Sequence, residues 1–178
     1  MKPTLKKIIA LAAAFIFCTA ATVYLNRPDS QADQPQEASY YFANYESAES
    51  ILAVQIDNSF GNITLIHTNE EFYTYVGEEE ATPSTEAINS LYNAIHRLPL
   101  QSYLSGASSS DPQYGLSEPA AEVYIQSTDG EAFMFYVGAP APSGGAHYVC
   151  LAGDGRVFLM SDEYASLFLS DLSEYVLE

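Results

Sequence analysis

The stretch that decides the fold is residues 114–138, which read Tyr-Gly-Leu-Ser-Glu-Pro-Ala-Ala-Glu-Val-Tyr-Ile-Gln-Ser-Thr-Asp-Gly-Glu-Ala-Phe-Met-Phe-Tyr-Val-Gly. Apolar and polar side chains alternate over residues 121–126, which is the pattern of a half-buried strand. Residues 132–137 are apolar on both faces and predict an interior strand that is covered on both sides. Between them, Asp129-Gly130 predicts a hairpin with a type I′ turn, because both central residues of that turn need positive φ. The stretch thus predicts strands and a turn, and it contains no pattern typical of a catalytic site.

The same pattern extends in both directions along the chain. Strand-like runs cover residues 52–56, 63–67 and 72–76 upstream, and residues 147–151 and 157–160 form a second predicted hairpin downstream. Its turn, Gly153-Asp154-Gly155, is more typical of a hairpin than of a phosphate loop, since no lysine or helix start follows it. We therefore expect an α+β fold with antiparallel sheets, built from two strands-then-helix units at about 51–98 and about 120–172, with the helices on one face.

Each unit ends in a predicted helix. The first helix is expected to begin with Thr82 as N-cap and Pro83 at its first helical position, and to end at Pro99. Ser161 is the expected N-cap of the second helix, with two acidic residues in its first turn. The apolar side chains of the first helix recur on one stripe that faces the sheet: Ile88, Leu91, Tyr92, Ile95 and Leu98.

The amino terminus has the pattern of a membrane segment. Three lysines precede an apolar run from Ile8 to Leu25, whose 18 residues would span about 27 Å as a helix. This pattern fits a cleaved secretory signal or an uncleaved anchor, and the flanking Tyr24 and Arg27 favour the anchor. The expected organisation is a signal anchor or transmembrane helix over residues 1–27, a flexible linker over 28–45 and an extracytoplasmic α+β domain over 46–178.

The charge is distributed very unevenly along the chain. Beyond Arg27 only Arg97 and Arg156 oppose all 23 acidic residues, so this part carries a net charge of −21. The positive-inside rule then places the lysine-rich end in the cytoplasm and the acidic body outside it. Because phosphates repel such a body, nucleic acid and anionic lipid head groups are poor partners, and we predict no nucleic-acid partner. Solubility is the ordinary role of this charge, and no calcium-binding loop of alternating acidic residues is present.

Several short motifs of the body resemble the family called domain of unknown function 4340. They are Tyr114-Gly115-Leu116 with Pro119, Asp129-Gly130, Val137-Gly138, Gly145, Tyr148-Val149, Val157-Phe158 and the closing Asp171-Leu172. The resemblance covers roughly the whole body. It implies a bacterial protein with one amino-terminal membrane segment, and some members resemble auxiliary components of gliding-type ABC transport systems. It implies no enzymatic activity, catalytic residue or cofactor.

The residues that could carry chemistry do not form a recognisable site. His67, His96 and His147 are not spaced like metal ligands, although a cluster of His67 and His147 with an acidic residue is an alternative. Cys150 lies between apolar residues and is predicted to be a small buried hydrophobe. Ser143 lacks a nucleophile-elbow motif. We therefore predict no catalytic residue, no metal ligand and no cofactor.

Aromatic residues offer a second kind of candidate. Tyr124, Phe133 and Phe135 are expected on the less buried side of the sheet, where exposed rings would contact a protein or a sugar. The alternative, which we favour, is that a helix or the aromatic segment 40–45 covers them. That segment is too aromatic for a simple linker and is expected to dock on the body as an edge strand or a short helix.

These observations favour a membrane-anchored extracytoplasmic domain without catalysis. It would act as an interaction or assembly module of the cell envelope, with an envelope protein as partner and a transport system of the ABC type as one candidate for that partner. The alternative is an extracytoplasmic domain that binds a divalent cation or an envelope glycan. A hydrolase is the third hypothesis, and it requires a cleft in which a histidine or carboxylate has a partner.

Overall fold

A computed structural model describes residues 40–68 and 71–177 of the 178-residue chain. These residues lie within one compact unit that spans Glu37–Glu178. They form eleven strands and two α-helices, in the order β1 (Tyr40–Asn44), β2 (Ile51–Asn58), β3 (Gly61–His67), β4 (Phe72–Val76), β5 (Glu79–Ala81), α1 (Thr85–Ile95), β6 (Arg97–Leu100), β7 (Ser102–Tyr103), β8 (Ala121–Ser127), β9 (Ala132–Pro140), β10 (Ala146–Leu151), β11 (Phe158–Ser161) and α2 (Asp162–Leu169).

Nine of the strands form a single antiparallel sheet, with the order β5-β4-β3-β2-β8-β9-β10-β11-β7. At its centre β2 pairs with β8, and this pairing aligns Val54 with Ile125 and Ile56 with Val123. All four side chains are fully buried. The β2–β8 pairing therefore joins the strands of both predicted units into one sheet with one main core.

The expected α+β fold of two strands-then-helix units is wrong. The protein is mostly β-sheet, and the strands of the two predicted units are continuous with each other. The physical reason is that the apolar strands β2 and β8 would each be an exposed edge in a separate unit, with unpaired amide and carbonyl groups. Pairing them satisfies both edges at once. Glu79 and Glu80 belong to β5, a short acidic strand at one edge of the sheet.

One face of the sheet, which we call the core face, is covered by α1, α2 and a two-stranded ribbon of β1 with β6. Phe42 of the ribbon packs on Phe135 of the sheet, with ring centroids 5.0 Å apart, and Phe168 of α2 meets the same ring edge-on at 5.2 Å. The aromatic segment 40–45 thus contributes strand β1, which packs on the sheet. A strand is one of the two forms that the sequence predicts for this segment.

The first helix begins later than the sequence predicted. Pro83 forms an isolated bridge with Val176, and the amide of Ser84 donates a hydrogen bond of 2.9 Å to the carbonyl of Tyr175. These contacts hold residues 83–84 extended, so the helix starts at Thr85 with Ser84 at the N-cap position. Four of the five residues of the predicted apolar stripe are confirmed, because they lie in the helix and are buried against the sheet: Ile88, Leu91, Tyr92 and Ile95. The predicted end at Pro99 is wrong, since the helix ends at Ile95 and the fifth residue, Leu98, is buried in β6.

The second face of the sheet is partly covered by residues 104–120, which we call the cover loop. Leu116 of this loop packs with Cys150 and Val157 in a second, smaller core. Two glycines permit the close approach of loop and sheet. Gly115 has a φ of +64°, and a Cβ there would lie 2.9 Å from the amide nitrogen of Ala139; a Cβ on Gly138 would overlap the carbonyl oxygen of Tyr114.

The predicted hairpin of residues 121–137 is present, but its turn differs from the predicted type. The amide of Gly130 donates to the carbonyl of Ser127 at 3.2 Å, and the amide of Ser127 donates to the carbonyl of Glu131 at 2.8 Å. Three residues therefore connect the strands, with Gly130 at a φ of +92°. This geometry matches a type I turn followed by a residue in the left-handed region, instead of a two-residue type I′ loop.

The predicted transmembrane helix of residues 1–27 lies outside the described residues. Over the part of the chain that the structure describes, no helix has both the length and the apolar character needed to span a bilayer.

The contact between Gly138 and the cover loop can be tested by substitution. Gly138→Ala should lower the free energy of unfolding by about 2 kcal/mol or more, because the added methyl group displaces the Tyr114 backbone. Gly155→Ala is the matched control, since its Cβ would meet no atom within 4 Å, and we expect a change within about 0.5 kcal/mol. Urea unfolding of both variants measures the difference, and equal stabilities would contradict the described packing.

The buried Tyr92 predicts an alkaline loss of stability. Its hydroxyl donates to the carbonyl of Leu65 at 3.1 Å, and burial raises the pKa of Tyr92 far above its usual range. The stabilisation is fully present below the unfolded pKa near 10 and is lost as the pH rises above it, because only the unfolded state then releases the proton. The free energy of unfolding should fall between pH 9 and pH 11 in both proteins. This fall should be about 1 kcal/mol smaller in Tyr92→Phe than in the unsubstituted protein. Identical losses in both proteins would refute this assignment.

Candidate interaction surface

The second face of the sheet differs between its two halves. The cover loop lies over the half formed by β9, β10 and β11, where Tyr136 and Tyr148 pack beneath it. Over the half formed by β5, β4, β3, β2 and β8, the helices and the ribbon that the structure describes all lie on the opposite side, on the core face. We call this second half the open face. Its side chains are the residues that alternate with the buried core positions along each strand.

A continuous row of side chains crosses the open face. The registers of successive strands place the members of this row directly opposite one another, and cross-strand partners lie on the same face of a sheet. From the edge inward the row on the open face is Glu80, Tyr75, Thr64, Gln55 and Tyr124, and it continues to Met134 on β9, the first strand of the other half. We call it the central row.

A parallel row on one side of the central row is acidic. Asn62, Asp57 and Glu122 are successive cross-strand partners on β3, β2 and β8. Asp57 and Glu122 are both exposed, and Asn62 donates a side-chain hydrogen bond of 3.2 Å to Asp57. Like charges directly opposite each other destabilise a sheet, so the Asp57–Glu122 pair carries an energetic cost in the free protein.

The row on the other side of the central row is more apolar. Tyr73, Ile66, Ala53 and Gln126 are its successive members. The hydroxyl of Tyr73 donates to the carboxylate of Glu71 at 2.8 Å, which raises the pKa of Tyr73. The open face therefore combines half-exposed rings, amides and carboxylates.

Two polar atoms of β8 on this face have no hydrogen-bond partner among the described residues. They are the hydroxyl oxygen of Tyr124 and the Oε1 atom of Gln126, and neither has appreciable exposed surface. Only 6% of the Tyr124 surface is exposed, and burial raises the pKa of its hydroxyl. A buried polar group without a partner costs about 1–3 kcal/mol, so these atoms favour a ligand that supplies the missing hydrogen bonds.

No lysine or arginine occurs in the five strands of the open face. Arg97 belongs to β6 in the ribbon on the core face. Arg156 is held in its own turn, where its guanidinium group donates to both carboxylate oxygens of Asp154, at 2.6–3.0 Å, and lies 5.5 Å from the centre of the Phe158 ring. The charged side chains on the five strands of the open face are therefore all acidic.

The sequence grouped Tyr124 with Phe133 and Phe135, and the structure separates them. Phe135 is fully buried on the core face, where Phe42 of the ribbon covers it and Phe133 stacks beside it. The favoured alternative, that a helix or the segment 40–45 covers these rings, is thus confirmed for Phe135, which contacts both Phe42 and Phe168. Tyr124 lies on the other face because it pairs with Met134. A two-residue turn would have paired it with Phe135, and a shift of one residue moves a side chain to the opposite face.

The structure does not bring together the alternative cluster of His67 and His147. His67 stacks on Phe72 at the end of β3, with ring centroids 4.5 Å apart, whereas His147 lies on β10, four strand spacings or about 19 Å away across the sheet. Among the described residues no group of three or more histidine, cysteine, aspartate or glutamate side chains is arranged to hold a metal ion.

Two histidines have polar neighbours. The Nδ1 atom of His147 lies 3.0 Å from a carboxylate oxygen of Asp162, and the described hydrogen bonds include none from the nearby Ser143 to this pair. His96 lines a shallow cavity of about 440 Å³ between α1 and α2, together with Arg97 and Glu163. Its Nδ1 atom contacts the carbonyl of Asn93 at 2.8 Å, which orients the ring along the helix end. Neither arrangement holds a nucleophile in reach of its histidine among the described hydrogen bonds.

Cys150 and the glycine turn after it have structural roles. Cys150 is buried, and burial, with a smaller contribution from the Asp154 carboxylate, raises the pKa of its thiol to about 11. The Gly153-Asp154-Gly155 segment is a hairpin turn, as predicted, in which the amide of Asp154 donates to the carbonyl of Leu151 at 3.0 Å.

The sequence reading missed most of the open face. Tyr124 lies on the side of the sheet opposite the core face, as its alternation with the buried Val123 and Ile125 predicts. Gln55 and Tyr75 carry the same signal, because each alternates with buried neighbours. What the sequence lacks is the register that aligns these residues into rows.

Comparisons of this chain with protein-family models, with curated proteins and with solved structures gave no match. The resemblance to the family called domain of unknown function 4340 stays a prediction that rests on the motifs quoted above.

The buried thiol of Cys150 predicts low reactivity. In a Cys18→Ser background at pH 8, only about one thiol in a thousand is ionised at a pKa of about 11, so iodoacetamide should react at least about 100-fold more slowly than after unfolding in guanidinium. Mass spectrometry of the alkylated chain over time measures both rates. Rapid stoichiometric labelling of the folded protein would show that Cys150 is accessible and reactive.

Proposed function

We propose that the protein is a membrane-anchored, extracytoplasmic interaction module of the cell envelope, without catalytic activity, and that the open face is its contact surface. The observation that carries the proposal is the pair of buried, unpartnered polar atoms on Tyr124 and Gln126, on a face that no described helix covers and that also carries the half-exposed rings of Tyr73 and Tyr75. Paired strands hold these side chains on a rigid backbone, which lowers the entropy lost on binding.

The dimensions of the open face fit a small and transient interface. Six strands at about 4.8 Å spacing give the central row a length of about 24 Å, and three rows separated by two residues give a width of about 13 Å. The product of these two lengths is an area of about 310 Å², which is less than half of the roughly 800 Å² that each partner of a stable complex buries. A contact of this size favours reversible docking to a partner that is already nearby in the membrane.

The predicted anchor and linker supply that proximity. Residues 28–39 precede β1, and a flexible segment of this length spans about 19 Å on average. Such a tether would hold the open face close to the bilayer and raise the local concentration of membrane partners. The family resemblance proposes an ABC-type transport system as one such partner.

A second candidate function is the binding of an envelope glycan. The observation that favours it is the placement of the half-exposed Tyr75 and Gln55 in one row, since a ring that stacks on a sugar and an amide that binds hydroxyl groups would then act together. Titration of the full chain with soluble cell-wall fragments, followed by calorimetry and by the midpoint of thermal unfolding, tests this candidate.

Site-specific photo-crosslinking tests the interaction module. A photoreactive amino acid at Thr64 on the open face should give a discrete crosslink from the full chain to an envelope protein in intact cells. The same amino acid at Glu86, an exposed position of α1 on the other side of the molecule, is the matched control and should give none. Equal yields at the two positions, or no product at Thr64, would count against the open face as the contact surface.

A further inference from the structure

We infer that the occupant of the open face is a basic, extended polypeptide segment rich in lysine or arginine. This inference rests on the proposed function, because it names the partner of the same surface. It is carried by the sign and the placement of charge on the open face, by the unpartnered atoms of β8 and by the dimensions of the central row.

Charge complementarity is the first argument. Carboxylates stand at the edge of the central row at Glu80 and in the acidic row at Asp57 and Glu122, while the five strands contain no lysine or arginine. The half-exposed ring of Tyr75 is the cross-strand neighbour of Glu80, and an arginine or lysine side chain is attracted both to a carboxylate and to the face of an aromatic ring. The negative charge of the open face also disfavours acidic partners, because like charges repel.

The opposed pair of Asp57 and Glu122 is the second argument. The two residues are direct cross-strand partners, and the hydrogen bond from Asn62 reaches only Asp57. A cationic side chain placed between them would convert the repulsion of like charges into two attractions. Binding should therefore be strongest for a partner that brings a positive charge to this position.

The polar atoms of β8 are the third argument. The Oε1 atom of Gln126 accepts hydrogen bonds only, and an ammonium group, a guanidinium group or a backbone amide can donate one. The Tyr124 hydroxyl can donate to a peptide carbonyl. Its neighbours in the central row, Gln55 and Met134, are half buried and have long flexible side chains, so they can move aside for an incoming segment.

The length of the central row also matches a peptide. An extended chain rises about 3.3 Å per residue, so a segment of about seven residues covers the roughly 24 Å of the row. The linker of this chain is a poor occupant, because residues 28–39 contain Asp29, Asp33 and Glu37 and no basic residue. The occupant is therefore expected to come from another molecule.

The experiment uses the full chain in a neutral detergent and a synthetic peptide of nine residues in which threonine alternates with lysine. Calorimetry should show saturable binding with a Kd on the order of 0.1 mM, which weakens as salt is raised to about 0.3 M. The control peptide, with glutamate in place of lysine, should not bind.

Two variants on the open face and one elsewhere locate the binding site. Glu122→Gln should weaken peptide binding about three- to tenfold and raise the midpoint of thermal unfolding by about 1–3 °C, because it removes the repulsion from Asp57.

Tyr124→Phe should weaken binding about threefold and also raise the midpoint, because it removes a buried hydroxyl without a partner. Glu163→Gln on α2 removes the same charge from the helix layer and should change the affinity by less than about 1.5-fold.

The outcomes separate this inference from the proposed function. Absence of saturable binding, or an equal loss of affinity in Glu122→Gln and Glu163→Gln, overturns the basic segment as occupant. If the crosslink from Thr64 still forms in either of these cases, the proposed interaction module is retained, and its partner is not a basic segment. Binding of a cell-wall glycan in place of the peptide would overturn the inference in favour of a sugar. Self-association of the chain by light scattering, with loss of the peptide site, would assign the face to a second copy.

Discussion

The pairing of β2 with β8 is the interaction on which the rest of the structure depends. It aligns the buried Val54 and Ile56 with Ile125 and Val123 at the middle of a nine-stranded sheet. Both helices and the β1–β6 ribbon then share one core face, and the main cluster of buried residues draws on both halves of the chain. Without this pairing each half would expose an apolar edge strand, and neither would have the open face in its present form.

The same pairing determines what the second face presents. On one half the cover loop is fixed by the contact of Gly138 with the Tyr114 backbone, so Cys150 and Leu116 are enclosed there. On the other half the alternating side chains of β5, β4, β3, β2 and β8 form rows with a single sign of charge. The half of this face under the cover loop thus has a structural role. The other half, the open face, is the surface that we propose for a partner.

Local patterns predicted local structure well. Alternation identified the strands around residues 63–67, 72–76 and 121–126, and the apolar stripe of α1 and the burial of Cys150 were also correct. These features depend on neighbours in sequence, since strand and helix periods place nearby residues on a known face. The start of α1 was missed because a contact with Val176, more than ninety residues away, holds Pro83 outside the helix.

Pairing and register could not be read in the same way. An apolar pattern shows that β2 has a buried face, but it does not identify β8 as its neighbour. The turn after β8 shows how sensitive register is, since one additional loop residue places Tyr124 opposite Met134 instead of Phe135. The candidate site depends on five such registers, and for this reason the sequence supplied its residues without their arrangement.

The β2–β8 pairing also has a consequence for how the chain folds. Ile56 and Val123 are neighbours in the sheet but are 67 positions apart in sequence. Contacts of such long range close slowly, because the loop entropy is lost before the contact is gained. During synthesis β2 therefore has no partner on this side until residues 121–127 have emerged. The chain made in that interval is acidic, with Glu78, Glu79 and Glu80 in a row, and like charge opposes the association of partly folded chains.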